Sequence, residues 1–369
     1  MKRITTLALL FPLLLTASAV NGMDPSAKPH RIIFLIGDGM GLSSVSTTFY
    51  YGDQQSVFSR FSDIGLIRTS SATDKVTDSA ASGTAMSSGT KTYNGAIGVD
   101  TTYKPVKNIT ETLSELGWST GIIATSTISH ATPASFYAHA RNRSMEELIA
   151  SQLLISEIDF FAGGGSQLFT RRQDSLNLIT IGADRGFEID TTALPEPGTL
   201  DPDKKYGFLL APGGMPPMPE GRGDFLPRAT ALAIDQLSHN QNGFFLMVEG
   251  SQIDWAGHAN NTIYLVDEML DFEKTIEVAL DFAEKDGNTL VVVTADHETG
   301  GVSLSAKRDP QTGREDYAEI DLTYATAGHS ATLIPVFAYG PGAEEFKGIY
   351  ENTELFHKMV ELTAPSSNP

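Results

Sequence analysis

The chain contains no cysteine. That absence excludes disulfides, a thiolate nucleophile and thiolate metal ligands. Any bound metal must then be held by imidazole and carboxylate, and stability must come from a core, bound ions or association. Basic residues are also scarce, with 26 Lys and Arg against 45 Asp and Glu and a formal net charge of −19. This balance opposes nucleic-acid binding. An anionic substrate can bind only where a metal or a placed Arg overcomes the global field. Long apolar runs are missing beyond the first residues. There Lys2 and Arg3 precede an apolar stretch from Leu7 to Leu15, interrupted by Pro12 and followed by Ala17-Ser18-Ala19. This is the pattern of a signal peptide over 1–19, and it is too short for a permanent membrane anchor. The expectation is an exported protein, periplasmic or secreted, with no membrane attachment after processing. Repeats, low-complexity runs and linkers are absent as well, so residues 20–369 are expected to form a single catalytic domain.

What the chain does have is acidic groups placed directly after apolar runs. Arg31 to Ile36 leads into Gly37-Asp38-Gly39. Phe244 to Val248 ends in Glu249, with Asp254 and His258 following. Leu290 to Thr294 ends in Ala295-Asp296-His297. Each run is short and continuous, as in a buried strand. Further strands are expected at Gly121–Ala124 and Ile334–Tyr339. Helices are expected at Ile109–Leu116, over a long stretch opening at Thr262 and closed by Gly287-Asn288, and at Asn352–Leu362. The proline-rich segment from Pro195 to Pro227 reads as irregular surface structure, and the tail from Ala364 as frayed. The alternation predicts an α/β fold, a three-layer sandwich with a central mostly parallel sheet and helices on both faces. Ligands of such sheets bind beyond the carboxyl ends of the strands. Segments distant in sequence would thus deliver Asp, Glu and His to one spot, and such a concentration of ligands calls for cations.

Single motifs leave their roles open. Asp254 and His258, four apart, share a helix face and suit either one divalent ion or a simple surface hydrogen bond. Asp296 and His297 are neighbours and need a turn to reach one ion. His329 stands alone in Gly328-His329-Ser330. Ser79, in Thr77-Asp78-Ser79-Ala80-Ala81, is either an ordinary helix N-cap or, beside a metal, a hydroxyl activated for attack. Arg141 and Arg143 are surface charges or a bidentate clamp for phosphate oxygens. Jointly, the inventory holds enough imidazole for two zinc-like sites and enough oxygen for one magnesium-like site.

Taken together, Gly37-Asp38-Gly39-Met40-Gly41, Thr77-Asp78-Ser79-Ala80-Ala81, His130-Ala131-Thr132-Pro133-Ala134, Val248-Glu249-Gly250, Asp254-Trp255-Ala256-Gly257-His258, Ala295-Asp296-His297-Glu298-Thr299-Gly300-Gly301 and Gly328-His329 resemble the bacterial alkaline phosphatases, in order along the chain. The resemblance implies metal-dependent hydrolysis of small phosphate monoesters through a phosphoserine, with inorganic phosphate as product. It implies two Zn2+ and one Mg2+ per chain. Asp254, His258 and His329 match the first zinc site. Asp38, Asp296 and His297 match the second, and Asp38, Thr132 and Glu249 match the magnesium site. Ser79 matches the nucleophile, Arg143 the phosphate clamp in preference to Arg141, and Asp78 the carboxylate that orients it. A homodimer is implied too. This chain departs from the better-known pattern at His130, where some members carry Asp near the third metal. It departs again at Trp255, where Lys or His is common and where a packing role is the alternative. The segment between Gly301 and His329 is short. Rival functions are a diesterase or sulfatase of the same superfamily, disfavoured by Ser79 with Thr132 and Glu249 and by the missing cysteine, and a secreted phosphate- or zinc-binding protein without catalysis.

Overall fold

The computed structural model describes residues 28–363, so the expected signal peptide and the tail from Ala364 lie outside the described residues. Chain order gives strands β1 (Arg31–Gly37), β2 (Asp63–Arg68), β3 (Ser119–Thr127), β4 (Phe160–Gly164), β5 (Phe187–Asp190), β6 (Lys205–Leu209), β7 (Phe244–Gly250) and β8 (Thr289–Thr294). The remainder are β9 (Glu298–Thr299), β10 (Val302–Arg308), β11 (Glu315–Tyr324), β12 (His329–Ser330), β13 (Ile334–Tyr339) and β14 (Gly348–Glu351). Ten of these form one sheet in the order β14-β2-β13-β8-β1-β7-β3-β4-β6-β5. From β8 to β5 every pairing is parallel, whereas β13 runs antiparallel to both β8 and β2. Every residue of β7 and β8, and all but the first of β1, is buried. Continuous apolar strands of that kind require cover on both faces, and helices provide it. On one face the helices Thr262–Asp286, over β1, β7 and β8, and Phe225–Leu237, over β3, β4 and β7, also pack on each other, and further cover comes from Ile109–Ser114 against β3 and Ala131–Ala134 against β3 and β7.

The expected helices and strands appear with small shifts at their ends: Ile109–Ser114, Thr262–Asp286 with Gly287 as its left-handed cap, and Glu354–Thr363. The proline-rich segment needs correction. It is mostly irregular, but it contributes β6 to the sheet, and a short helical turn at Met218–Glu220. Gly207 in the middle of β6 makes room for a neighbour, because a Cβ there would stand 2.1 Å from the Phe161 ring of β4. The short segment before His329 is a hairpin of β10 and β11, separate from the main sheet.

The same irregular segment is anchored by a buried ion triad. Arg222 is fully enclosed and its guanidinium reaches both Glu268 oxygens and, at 2.9 Å, Asp271 Oδ2 on the helix Thr262–Asp286. Glu268 also accepts the Met218 amide at 2.9 Å. Removing Arg222 leaves the two buried carboxylates of Glu268 and Asp271 without their cation. Arg222→Ala is therefore expected to cost about 3–5 kcal/mol in urea unfolding of the holoenzyme. A loss below about 1 kcal/mol, the size of an exposed pair, would mean that the triad is not the anchor.

Candidate active site

Register brings the acidic groups together. Ile36 of β1 lies opposite Glu249 on one side and Thr294 on the other, and Gly37 pairs with Gly250. Ala124 of β3 also pairs with Glu249. The chain leaves these four adjacent strands at one edge, with Asp38 after β1, His130 and Thr132 after β3, Asp254 after β7, and Asp296 and His297 after β8. Asp254 and His258 sit on the helix Gln252–His258, one turn apart as expected. His329 arrives from the far side on β12, which pairs with β9 through His329 opposite Thr299.

Three groups of ligand atoms result, each lying within 4.8 Å: Asp254 with His258 and His329, Asp38 with Asp296 and His297, and Asp38 with His130 and Glu249. Asp38 belongs to two of them. His258 Nε2 and His329 Nε2 lie 3.4 and 3.6 Å from Asp254 Oδ1. His297 Nε2 lies 3.2 Å from Asp296 Oδ2 and 3.6 Å from Asp38 Oδ1. The Thr132 hydroxyl is 3.4 Å from Asp38 Oδ2. Each of the three histidines turns its Nδ1 to an oxygen: His258 to the Ala327 carbonyl, His329 to the Thr77 carbonyl and His297 to the Thr299 hydroxyl. Nε2 is left toward the carboxylates in every case, the arrangement that orients imidazole ligands.

The electrostatics call for cations. Asp38, Glu249 and Asp296 are fully buried, and Asp38 Oδ1, Glu249 Oε1, Asp296 Oδ2 and His130 Nδ1 find no hydrogen-bond partner among the described residues. Buried polar atoms are ordinarily satisfied, so these atoms fit a bound ion. Without one, burial drives Asp38 well above the usual carboxylate range, reinforced by Asp296, Asp254 and Glu249. Burial also raises Asp296 and pushes Glu249 up to about 7. It lowers His297 to about 3, with His329 adding to the effect, and His130 to about 3, with Arg143 adding to it. A divalent ion reverses this logic by favouring the ionised carboxylate and the neutral imidazole.

Ser79 opens the helix Ser79–Ser88, and its hydroxyl lies 3.3 Å from His297 Nε2. The N-cap is Asp78, whose Oδ1 accepts the Ala81 amide at 3.0 Å. Capping therefore does not occupy Ser79. Asp78 Oδ2 accepts from Arg143 Nη1 at 3.2 Å, and Arg143 Nη2 donates to His130 Nε2 at 3.0 Å. The guanidinium is held at both ends with donors to spare. Arg141 instead lies over the Tyr103 ring, 4.9 Å from its centroid. Trp255 sits edge-on to His130 with 6.2 Å between ring centroids, and a Cβ on Gly214 would come within 2.9 Å of its indole. It borders the site and packs against the irregular segment at once.

All twelve residues singled out from sequence meet here. Missed were the groups that hold them. The Thr299 hydroxyl reaches Asp254 Oδ1 at 2.5 Å and His297 Nδ1 at 3.2 Å, so it ties two ligand groups together. The Ser251 hydroxyl donates to Glu249 Oε2 at 2.6 Å, and Ser82 to the Asp296 carbonyl at 2.7 Å. Thr299 stood inside a matched motif; Ser251 and Ser82 carried no signal at all.

A family model described as alkaline phosphatase matches residues 29–320. Alkaline phosphatase 4 of Bacillus subtilis (strain 168) is 32% identical, over 94% of this chain and 91% of that protein. The solved alkaline phosphatase from the Antarctic bacterium TAB5 is 54% identical with a TM-score of 0.90, covering 91% of this chain and 98% of that one. A variant of it, with one histidine replaced by aspartate, was solved with Mg bound in its M3 site at the same identity, coverage and TM-score.

Proposed function

The chain belongs to the alkaline phosphatase family, and on that premise we propose that Ser79 is the nucleophile of its metal-dependent hydrolysis of phosphate monoesters. The observation that carries this assignment is the Ser79 hydroxyl at 3.3 Å from His297 Nε2, beside buried carboxylates with unpartnered oxygens. Two Zn2+ and one Mg2+ are assigned to the three ligand groups. Asp254, His258 and His329 would hold the first zinc, Asp38, Asp296 and His297 the second, and Asp38, Thr132 and Glu249 the magnesium, with His130 beside it. Bound there, the ions supply charge neutralisation and lower the pKa of a coordinated hydroxyl.

The protein's own groups do the rest. Ser79 is the first residue of its helix, so its hydroxyl and the incoming phosphate meet the positive end of the helix. Arg143, braced by Asp78 and His130, offers its free donors to two non-bridging oxygens, where negative charge persists in the transition state. Ser79 Oγ attacks phosphorus in line, the ester oxygen leaves as the alcohol, and the phosphoryl group stays on Ser79. Water then hydrolyses the phosphoserine and restores the hydroxyl. The His258 side chain is 41% exposed while that of His297 is fully buried. The ligand groups therefore open to solvent on the His258 side.

His130 supplies a neutral nitrogen where an anionic oxygen would suit magnesium better. The TAB5 variant with Mg in its M3 site after a histidine-to-aspartate change supports this view. Residues 20–369 are assigned to one catalytic domain, a reading supported by one continuous buried core among the described residues. Export rests on the N-terminal pattern, and no helix among the described residues is long and apolar enough to cross a membrane. Assembly as a homodimer rests on family resemblance, and sedimentation at the mass of a single chain would refute it.

Monoester specificity is tested by comparing p-nitrophenyl phosphate with bis-p-nitrophenyl phosphate and p-nitrophenyl sulfate. The monoester is expected to exceed both in kcat/KM by at least about 100-fold, or roughly 2.7 kcal/mol of transition-state discrimination. Equal rates on the diester would return the assignment to the diesterases.

A further inference from the structure

His139 lies outside the ligand groups, yet it is gripped from every side. Its Nδ1 is 2.6 Å from the Gly98 carbonyl and its Nε2 is 3.2 Å from Glu111 Oε1. A carbonyl and a carboxylate only accept, so the ring satisfies both contacts only with a proton on each nitrogen. Its backbone is clasped as well, with the amide donating to Gln152 Oε1 at 2.7 Å and the carbonyl accepting from Gln152 Nε2 at 3.0 Å.

The segment that follows ends at Arg143 and is laced to residues 93–98. Ile97 and Ala140 exchange backbone hydrogen bonds of 2.9 and 2.8 Å, and the Arg143 amide donates to the Gly95 carbonyl at 2.7 Å. The Tyr93 hydroxyl donates to the Arg141 carbonyl at 2.7 Å. The Gly95 amide in turn meets both oxygens of Asp78, the carboxylate that holds the Arg143 side chain. A closed ring of contacts results, from Asp78 through Gly95 and Arg143 back to Asp78, and His139 pins its outer end at Gly98. Gly98 is required for the approach: with φ at +55°, a Cβ there would lie 2.2 Å from the Ala138 carbonyl oxygen and 2.9 Å from His139 Nδ1.

We propose that His139 is a positioning residue for Arg143, bridging the Gly98 carbonyl and the Glu111 carboxylate as a cation and so fixing the segment that aims the guanidinium at phosphate. The proposal rests on the assignment of Arg143 as the phosphate clamp. Its charged surroundings are few. Glu111 faces the ring directly, while Lys107, Glu115 and Glu157 line the open groove beside it, with Lys107 paired to Glu115. The Glu111 hydrogen bond holds the imidazole above its ordinary value. The sign follows. Both contacts are complete below about pH 6.5, the ordinary histidine value. As pH climbs through the raised value the ring keeps a single N–H, and one contact is lost.

The test measures inhibition by inorganic phosphate, and kcat/KM on p-nitrophenyl phosphate, for metal-loaded wild type, His139→Gln, Arg143→Ala and the double variant. His139→Gln is expected to raise the phosphate inhibition constant roughly tenfold, since displacement by about an ångström costs up to about 100-fold. In the Arg143→Ala background it should add nothing. The ratio between His139→Gln and wild type should be largest near pH 6.5 and shrink as pH rises, which a merely structural role would not produce. Glu111→Gln removes the charge without touching the ring, and should weaken phosphate binding in the same direction. The proposal is overturned if either single variant leaves phosphate inhibition unchanged, if His139→Gln acts equally without Arg143, or if its effect is flat with pH. Unchanged phosphate binding in Arg143→Ala alone would instead refute the clamp assignment itself, and the positioning role with it.

Discussion

Ser79→Ala is expected to reduce turnover of p-nitrophenyl phosphate by at least about 1000-fold, in line with the loss of a covalent nucleophile, while metal content and unfolding midpoint stay at wild-type values. The loss is confined to chemistry for structural reasons. Asp78, not Ser79, caps the helix, so the helix start survives the substitution. Among the described residues the hydroxyl has one polar contact, His297 Nε2 at 3.3 Å, and none of the carboxylate oxygens depends on it. Alanine at the first position of a helix is well tolerated. Steady-state rates and elemental analysis of the same preparation decide the matter. Full metal content with wild-type turnover would remove Ser79 from the mechanism; low metal content would make it a structural residue of the site.

Metal removal should have a comparable effect on rate and a larger one on stability. Dialysis against a strong chelator is expected to abolish turnover, and Zn2+ followed by Mg2+ should restore it. It should also lower unfolding free energy by about 4 kcal/mol or more, the linkage expected for an ion present at about 1000 times its dissociation constant. Asp38, Glu249 and Asp296 are fully buried and Asp254 nearly so, and among the described residues no Lys or Arg pairs with any of them. Stripped of ions they can only repel one another or take up protons, which is why Glu249 then rises to about 7 and Asp38 and Asp296 rise with it. Removing metal should therefore consume protons, measurable as a rise in pH of a weakly buffered solution. Retained activity after verified removal of all ions would contradict the assignment. So would unchanged stability, since it would leave those buried charges without a cost.

The legible part of this protein was the part that chemistry concentrates. β1, β7 and β8 are continuous apolar runs because both faces of the sheet are covered, and each ends where a carboxylate must begin. The four-residue spacing of Asp254 and His258 fits the helix Gln252–His258, on which they share one face. Sequence could not show that Lys205–Leu209 is a strand, because the glycine that disrupts its pattern is present for the Phe161 ring packed upon it. Nor could it show the strand order or the antiparallel β13, which depend on contacts between distant segments. Thr299, Ser251 and Ser82 hold the ligands with ordinary hydroxyls, and such residues look alike wherever they occur. Trp255 could be weighed from sequence only as packing group or site neighbour; it is both, between His130 and Gly214.

The central claim is a phosphoryl group carried on one named oxygen. The direct test is to incubate metal-loaded enzyme with inorganic phosphate, quench it in acid and sequence the labelled peptide by mass spectrometry. The account predicts a single phosphorylated residue, Ser79, with the label absent from Ser79→Ala and from chelated enzyme. A label on any other residue, or turnover without any trapped phosphoprotein, would contradict it.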